Sequence, residues 1–225
     1  MNPILDPYSL FLVDMDDTLF EERDFVLSGF QAVADHLPKW GIDSQDAFAF
    51  LNDRFRSHGR DRIFNHLLLH YVKTDSEAQI RELVEIYRAH TPQIALYPGA
   101  KETLNALHGK GRIIIVTDGL AEVQRRKFEA LGLPARVDDV VFCQASGYNK
   151  PDPRSVAGLV QHGDPQAVFI GDNPEHDLCM ADQLGIAAIR IRSGRFKETD
   201  NTPWEPIGDF PSFVSLQNES SSSHA

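Results

Sequence analysis

The sequence has little cysteine, a deficit of basic residues and no long hydrophobic run, and each shortage excludes a class of protein. Two cysteines among 225 residues are too few for a disulfide framework, so we expect a reduced, cytoplasmic protein. Lysine and arginine number 22 against 33 aspartate and glutamate, which gives a formal net charge of -11. Because nucleic-acid-binding proteins usually carry a basic face, we expect no nucleic-acid partner.

Signals for membrane insertion or export are also lacking. No apolar stretch approaches the roughly 20 residues that a membrane-spanning helix needs, so we expect no membrane partner. Pro3 and Asp6 lie where a signal peptide would have basic residues and a longer apolar run. With 42% hydrophobic and 24% charged residues, the composition is ordinary for a globular protein of one or two domains.

What the sequence does contain is a short apolar run, Leu10–Val13, that ends in a group of acids. Its length suits a strand buried on both faces of a parallel sheet. Because strand side chains alternate, Asp14 and Asp16 leave the strand end on the same side. Two like charges about 4 Å apart at an effective dielectric near 20 repel by roughly 4 kcal/mol. A site that keeps both needs a cation or a shared proton, whereas the alternative is a strand end with solvated acids.

Residues 20–97 show helical periodicity and no good strand. Four apolar stripes at helical spacing predict four amphipathic helices, and these suggest a small bundle. Thr74 and Glu77 form a capping-box pattern at the start of the fourth. The stripes are Val26, Phe30, Val33 and Leu37; Phe48, Leu51 and Phe55; Ile63, Leu67, Leu68 and Tyr71; and Ile80, Leu83, Val84 and Tyr87.

After residue 99 the pattern changes to an alternation of strands and helices. The alternation predicts an α/β fold with a doubly wound parallel sheet, in which residues 1–19 and 98–196 form the core and residues 20–97 are an inserted helical bundle. Residues 197–225 lose periodicity and are predicted to be a partly disordered tail. The predicted strands are 10–13, 113–116, 140–142, 168–170 and 187–191, and the predicted helices are 100–107, 121–131, one starting at Asp152, and 175–184.

The later strands also end in polar residues. Thr117 ends one strand, and its hydroxyl and the backbone amides that follow can donate to a phosphate. Lys150 lies between a turn and a helix start and is a compact positive charge. Asp172 follows another strand, and Asp177 opens the next helix. A capping threonine, a surface lysine and helix-capping acids would explain most of these residues, but not Asp172 directly after a buried strand.

These patterns together resemble the motifs of the haloacid dehalogenase-like (HAD) hydrolases. Residues 14–18 resemble the first motif, DxDxT, and Thr117 and Lys150 resemble the second and third. Residues 171–177 resemble the fourth, GDxxxxD, and the four occur in family order. The family often has Asn where this chain has Asp118, which leaves the local hydrogen bonding open. The resemblance implies a Rossmann-like core, and the insertion resembles the helical cap of the C1 subgroup.

The resemblance implies a Mg²⁺-dependent phosphatase that acts on a small phosphorylated metabolite, such as a sugar phosphate, phosphoglycolate or a nucleoside monophosphate. Asp14 would form an aspartyl phosphate, and Asp16 would protonate the leaving alcohol and then deprotonate the attacking water. Oxygen ligands without thiolates suit Mg²⁺ better than zinc. The implied residues are Asp14, Asp16, Thr117 and Lys150 for catalysis; Thr117, Asp118, Gly119 and Lys150 for substrate binding; and Asp14, Asp16 (through its backbone carbonyl), Asp172 and Asp177 for the metal.

Two other functions stay open. A phosphoacceptor signalling module of the receiver type also uses an Asp, Mg²⁺, a Thr and a Lys, but it carries its phosphorylated Asp on a later strand and has no helical insertion. A 2-haloacid dehalogenase uses the first Asp on carbon, but it needs no metal and lacks the second acid, so Asp16 and Asp172 argue against it. The oligomeric state is open between monomer and homodimer.

Other residues receive weaker interpretations. His176 lies inside the predicted metal loop and is assigned no role, and Cys143 is expected to be a small buried hydrophobe. Basic residues cluster between the second and third predicted helices, where a solvated loop is the default and contact with an anionic substrate is the alternative. That cluster comprises Arg54, Arg56, His58, Arg60 and Arg62.

Overall fold

A computed structural model describes residues 2–73 and 76–218 of the chain, and these fall into two compact units. The core unit comprises Met1–Glu22 and Ile94–Ala225, and the helical unit comprises Arg23–Gln93. Within the described ranges, no helix combines the length and apolar character needed to cross a membrane.

The strands are β1 (Leu10–Val13), β2 (Arg112–Thr117), β3 (Asp139–Phe142), β4 (Ala167–Gly171), β5 (Ala187–Ile191) and β6 (Gly208–Phe210). The helices are α1 (Glu22–His36), α2 (Ser44–His58), α3 (Ile63–Tyr71), α4 (Glu77–Ala89), α5 (Ala100–His108), α6 (Ala121–Ala130), α7 (Cys143–Ser146), α8 (Cys179–Leu184) and α9 (Phe213–Asn218).

The core unit is built on one parallel sheet with the strand order β3-β2-β1-β4-β5-β6. Its central strands are apolar along their length because both faces are covered, and Phe11, Leu12 and Val13 are at most 1% exposed. The predicted doubly wound α/β fold is therefore confirmed.

The chain changes direction across the sheet at β1, since β2 and β3 lie on one side of it and β4, β5 and β6 on the other. In open α/β sheets, ligands bind beyond the carboxyl ends of the strands at this switch point. Val13 is in register with Ile115 of β2 and Ile170 of β4. The polar residues that follow these three strands consequently start from one edge of the sheet.

The helical unit consists of helices that pack their apolar stripes against each other. Val26, Phe30 and Val33 of α1 are at most 1% exposed and belong to one cluster with buried residues of α2, α3 and α4. The Asp43 side chain caps α2 by accepting from the backbone nitrogens of Gln45 and Asp46. Thr74 of the predicted capping box lies outside the described residues, and α4 begins at Glu77.

The largest difference from the sequence prediction is at residues 197–218, which join the core unit. Strand β6 pairs with β5, and α9 buries Phe213 and Leu216. The fully buried Arg190 of β5 donates to the carbonyls of Phe196 (2.6 Å) and Thr199 (2.7 Å). Periodicity does not show these contacts, because β6 has only three residues and Arg190 bonds to backbone carbonyls. The serine-rich end predicted to be disordered falls in 219–225, outside the described residues.

One predicted helix is shorter than expected, and another differs in the type of its first turn. The helix expected at Asp152 is a single 3-10 turn, Pro153–Val156, and the Asp152 side chain caps it by accepting from the Arg154 nitrogen. The helix expected at 175–184 begins with a π-helical turn, Pro174–Leu178, before α8. That wider turn carries Asp177 toward the end of β4.

Candidate active site

The ends of three neighbouring strands bring most of the sequence-predicted residues together. Asp14 follows β1, Thr117 ends β2 and Asp172 follows β4. Lys150, from the loop after α7, reaches the same place, where its Nζ lies 2.5 Å from Asp14 Oδ1 and 2.7 Å from Asp177 Oδ1. All five side chains are buried. The edge of the sheet thus holds an ion-pair network that is shielded from water.

Three of these carboxylates form a cluster that can hold a metal ion. Asp14, Asp172 and Asp177 each offer an oxygen, and these oxygens lie within 4.8 Å of one another. Asp172 Oδ1 accepts from the Thr18 hydroxyl at 3.1 Å, whereas its buried Oδ2 accepts no hydrogen bond from the described residues. A buried acceptor without a donor is costly, so this atom is a natural ligand position.

The charge of the cluster supports the same interpretation. Burial raises the pKa of Asp14 to about 7, against the lowering effect of the Lys150 ammonium. Burial and the neighbouring Asp14 and Asp177 carboxylates raise the pKa of Asp172 to about 9. The protein alone therefore disfavours full ionisation of the cluster, and a divalent cation would reverse this. An all-oxygen donor set fits a hard cation such as Mg²⁺.

Lys150 stays charged in this buried position. Burial by itself lowers the pKa of its ammonium, but the Asp14 and Asp177 carboxylates outweigh burial and hold the pKa well above the ordinary value. Its backbone nitrogen donates to Asp118 Oδ1 at 3.0 Å. The lysine is thus held at both its backbone and its side chain.

At position 118, where the family often has Asn, the Asp carboxylate interacts with other residues of the protein. One oxygen accepts from Lys150, and the other lies 3.4 Å from Nδ1 of His176. Although burial opposes it, His176 and Lys150 lower the pKa of Asp118, and the bond to Asp118 raises the pKa of His176. A phosphate would meet repulsion at this carboxylate, so we expect any contact with substrate to come from backbone amides of the turn. Gly119, with φ +104, allows that turn.

Sterics explain why the residue before Asp172 is a glycine. A methyl group on Gly171 would overlap the carboxylate of Asp177, which lies against the backbone there. Asp177 Oδ2 also accepts from the Asn173 nitrogen at 3.0 Å. Glycine at 171 therefore lets Asp177 reach Lys150.

Asp16 is positioned by two residues of α6 that the sequence reasoning missed. Lys127 Nζ lies 2.6 Å from Asp16 Oδ1, and Gln124 Nε2 donates to Asp16 Oδ2 at 2.5 Å. The carboxylate of Asp16 is thus outside the three-acid cluster, and its predicted share in metal binding concerns the backbone carbonyl. Gln124 and Lys127 occupy the same helical stripe as the buried Phe128 and Leu131. Two polar residues within an apolar i, i+3, i+4, i+7 pattern are the signal that could have found them.

A second missed group is the loop after β5. Arg195 lies 3.5 Å from Asp17 and 3.4 Å from Glu22. With Phe196, it lines a cavity of about 360 Å³ whose lining also includes Asp14 and Asp172. The loop approaches so closely that a methyl group on Gly194 would overlap the Asp17 side chain. Nothing in the local sequence marks this contact.

Cys143 is buried at the start of α7, as expected for a small hydrophobe. Burial and the nearby Asp118 carboxylate raise the pKa of its thiol to about 12. A thiol with that pKa is not ionised at neutral pH, so Cys143 is unsuited to act as a nucleophile.

Comparison with known proteins finds relatives over most of the chain. The model of the haloacid dehalogenase-like hydrolase family matches residues 8–185. A glyceraldehyde 3-phosphate phosphatase of Methanocaldococcus jannaschii is 27% identical over 199 residues, covering 84% of this chain and 87% of that protein. The pyrimidine 5'-nucleotidase YjjG of Escherichia coli is 32% identical over 178 residues, covering 77% of this chain and 73% of that protein. The crystal structure of the HAD-hydrolase YfnB of Bacillus subtilis bound to magnesium has a TM-score of 0.66 at 18% identity and covers 93% of this chain and 96% of that one, a likeness of fold.

Proposed function

Because this chain belongs to the haloacid dehalogenase-like hydrolase family, we propose that it is a phosphatase that hydrolyses the phosphate monoester of a small metabolite. The observation that carries the proposal is the buried contact of Lys150 with Asp14 and Asp177 beside Asp172. An ammonium among carboxylates at the switch point of an α/β sheet suits a reaction in which a carboxylate must approach an anionic phosphate.

In the first step Asp14 is the nucleophile. Its carboxylate attacks phosphorus, the bond from phosphorus to the alcohol oxygen breaks, and an aspartyl phosphate forms. The Lys150 ammonium and the Thr117 hydroxyl hold the transferring oxygens and offset the charge that develops on them. Lys150 therefore interacts with both the attacking carboxylate of Asp14 and the phosphoryl group that it attacks.

Asp16 is the acid and base of the reaction. It gives its proton to the leaving alcohol and then takes a proton from the water that attacks the aspartyl phosphate. This second step releases inorganic phosphate and restores the carboxylate of Asp14. The reaction as a whole consumes one water and yields an alcohol and phosphate.

We assign this position to Mg²⁺, which Asp14, Asp172 and the backbone carbonyl of Asp16 would hold, while Asp177 would orient or complete the shell. When bound, the cation supplies positive charge that offsets the repulsion between Asp14 and the phosphate. The unpartnered Oδ2 of Asp172 and the all-oxygen donor set support this assignment.

The helical unit is proposed as the cap. In this role it excludes water and selects the leaving group. The proposed substrate is a sugar phosphate, phosphoglycolate, a nucleoside monophosphate or a similar metabolite, and the proposed location is the cytoplasm.

The test is a panel of phosphorylated metabolites, with release of inorganic phosphate measured with and without Mg²⁺. We expect Mg²⁺-dependent release from at least one small monoester, and loss of that activity in Asp14→Asn. An Asp14→Asn protein that folds and keeps near-full activity would contradict the assignment of the nucleophile.

Two further measurements separate the other candidate functions. A receiver-like module incubated with acetyl phosphate would stay labelled for minutes, whereas a phosphatase releases phosphate catalytically. A dehalogenase would release halide from a 2-haloacid without a metal ion. Either result, in the absence of phosphate release from the panel, would replace the proposal.

A further inference from the structure

We propose that α6 is a positioning element for the acid and base of the reaction, in which Lys127 and Gln124 together hold the carboxylate of Asp16. This inference rests on the proposed function, because it assigns Lys127 and Gln124 a role that acts through Asp16.

The side-chain hydrogen bonds of Asp16 among the described residues come from one helix, α6, and engage both carboxylate oxygens. Lys127 Nζ contacts Oδ1 at 2.6 Å, and Gln124 Nε2 donates to Oδ2 at 2.5 Å. A carboxylate held at both oxygens has a defined position and plane, whereas a single contact leaves rotation about its last torsion.

Gln124 also links Asp16 to the residue that grips the phosphoryl group. The same Nε2 donates to Thr117 Oγ1 at 2.6 Å. An amide nitrogen carries two hydrogens, so it can donate to both partners at once. Gln124 therefore sets the distance between Asp16, which is the acid and base, and Thr117, which binds the transferring oxygens.

The burial of Lys127 and Gln124 argues against a purely structural role. Their exposed fractions are 3% and 2%, and they lie in the apolar stripe of α6 beside Phe128. Burying an ammonium is costly, and well-packed hydrophobic residues in place of a buried ion pair are often neutral or stabilising. A helix that had only to pack would be served by apolar residues at both positions, so Asp16 is the reason for the polar pair.

The size of the expected effect follows from geometry. Misplacement of a catalytic group by about 1 Å can reduce the rate by about 10²-fold. The loss should fall on the step in which Asp16 protonates the leaving alcohol. The loss of rate should therefore be larger for an alcohol that needs the proton in order to leave.

The experiment compares two substrates in Lys127→Met and Gln124→Leu. One is a simple alkyl phosphate, whose alcohol leaves poorly as an anion, and the other is 2,4-dinitrophenyl phosphate, whose phenolate leaves without help. We expect kcat/KM for the alkyl ester to fall by about 10²-fold and kcat/KM for the aryl ester to fall far less. Arg126→Met, at an exposed position on the same helix, is the matched control and should change neither value.

A double-mutant cycle tests whether Lys127 acts through Asp16. In an Asp16→Asn background, Lys127→Met should cause little further loss on the alkyl ester, because the group that it positions is already gone. Lys127→Arg, which keeps the charge, should recover part of the alkyl-ester activity and serves as the second variant if Lys127→Met does not fold. Thermal melting of every variant establishes folding.

Equal losses on both esters, no loss on either, or additive losses in the cycle would overturn the inference. Failure of the proposed function would give different kinetic results. In that case the wild-type protein hydrolyses neither ester, or Asp14→Asn is as active as wild type. The positioning role is judged only from the ratio between the two esters in a protein whose Asp14→Asn variant is inactive.

Discussion

The core unit and the helical unit place their charged residues in opposite ways. In the core unit, Lys150 and Lys127 are buried and pair with carboxylates at 2.5 to 2.7 Å. In the helical unit, the buried cluster is apolar, and a cavity of about 240 Å³ has exposed Arg60, Arg62 and Arg88 among its lining residues. Buried charge is costly. The core unit keeps it mainly at the candidate site, with the buried Arg190 as an exception that bonds to backbone carbonyls, whereas the buried cluster of the helical unit follows ordinary packing rules.

The largest expected effect comes from removing a buried lysine. Lys150→Met leaves Asp14 and Asp177 buried without their ammonium, and breaking a buried pair in this way costs about 3–5 kcal/mol of unfolding free energy. Loss of a group that stabilises developing charge should also lower kcat by about 10²- to 10³-fold. Urea unfolding in EDTA and steady-state kinetics with Mg²⁺ measure the two effects.

The matched change in the helical unit is Lys39→Met. Lys39 pairs with Glu82 at the surface and is 42% exposed, so its removal should change the unfolding free energy by less than about 1 kcal/mol and leave kcat unchanged. Comparable effects at Lys39 and Lys150 would break the contrast between the two units.

A smaller effect is expected from Gly171→Ala. The added methyl group meets the Asp177 carboxylate and should push it away from Lys150, lowering kcat by roughly 10- to 100-fold. Gly109→Ala is the control in the same unit, because the nearest atom to its added methyl group is 3.6 Å away. Kinetics that are unchanged at Gly171 would show that the position of Asp177 is not critical.

Metal removal should make stability depend on pH. In the metal-free protein, burial raises the folded-state pKa of Asp172 from 3.8 to about 9, so the folded protein binds more protons than the unfolded chain between these values. Stability is then greatest below the unfolded pKa and falls as pH rises through the folded pKa. We expect Tm in EDTA to fall as pH rises from about 4 to about 9, and saturating Mg²⁺ to remove most of the fall because it binds the ionised form.

Asp172→Asn is the control for this titration, since it replaces the titrating group with a neutral side chain of similar size. Its Tm in EDTA should depend less on pH than that of the wild type. An equal dependence in both proteins would assign the effect to other groups and would weaken the contrast in charge burial.

The smallest effect is expected in the helical unit. Burial and, after it, the positive charges of Arg54 and Arg62 lower the pKa of His66, so two arginines lie close to this side chain. If this unit acts as the proposed cap, Arg62→Gln should raise KM for an anionic substrate several-fold and leave kcat unchanged. Arg81→Gln, which removes an exposed residue paired with Glu77, is the control and should leave both constants unchanged. A fall in kcat at Arg62 would give the helical unit a part in the chemistry.

Local sequence was sufficient for most of the fold. Apolar runs of four residues mark β1 and β2, and the alternation of strands and helices after residue 99 predicts the parallel sheet. Because carboxyl ends of parallel strands share an edge, the same reasoning groups Asp14, Thr117 and Asp172. Strand β6 was missed because a three-residue strand carries no periodicity of its own.

The sequence by itself determined the α/β core, the helical insertion and which polar residues follow the strands, because hydrophobic periodicity is local. The pairing of their charges was decided only by the tertiary structure. Lys150 meets Asp14 across 136 positions of the chain, and Lys127 meets Asp16 across 111. Strand order and helix packing bring such distant residues together, so no local pattern predicts which lysine faces which acid.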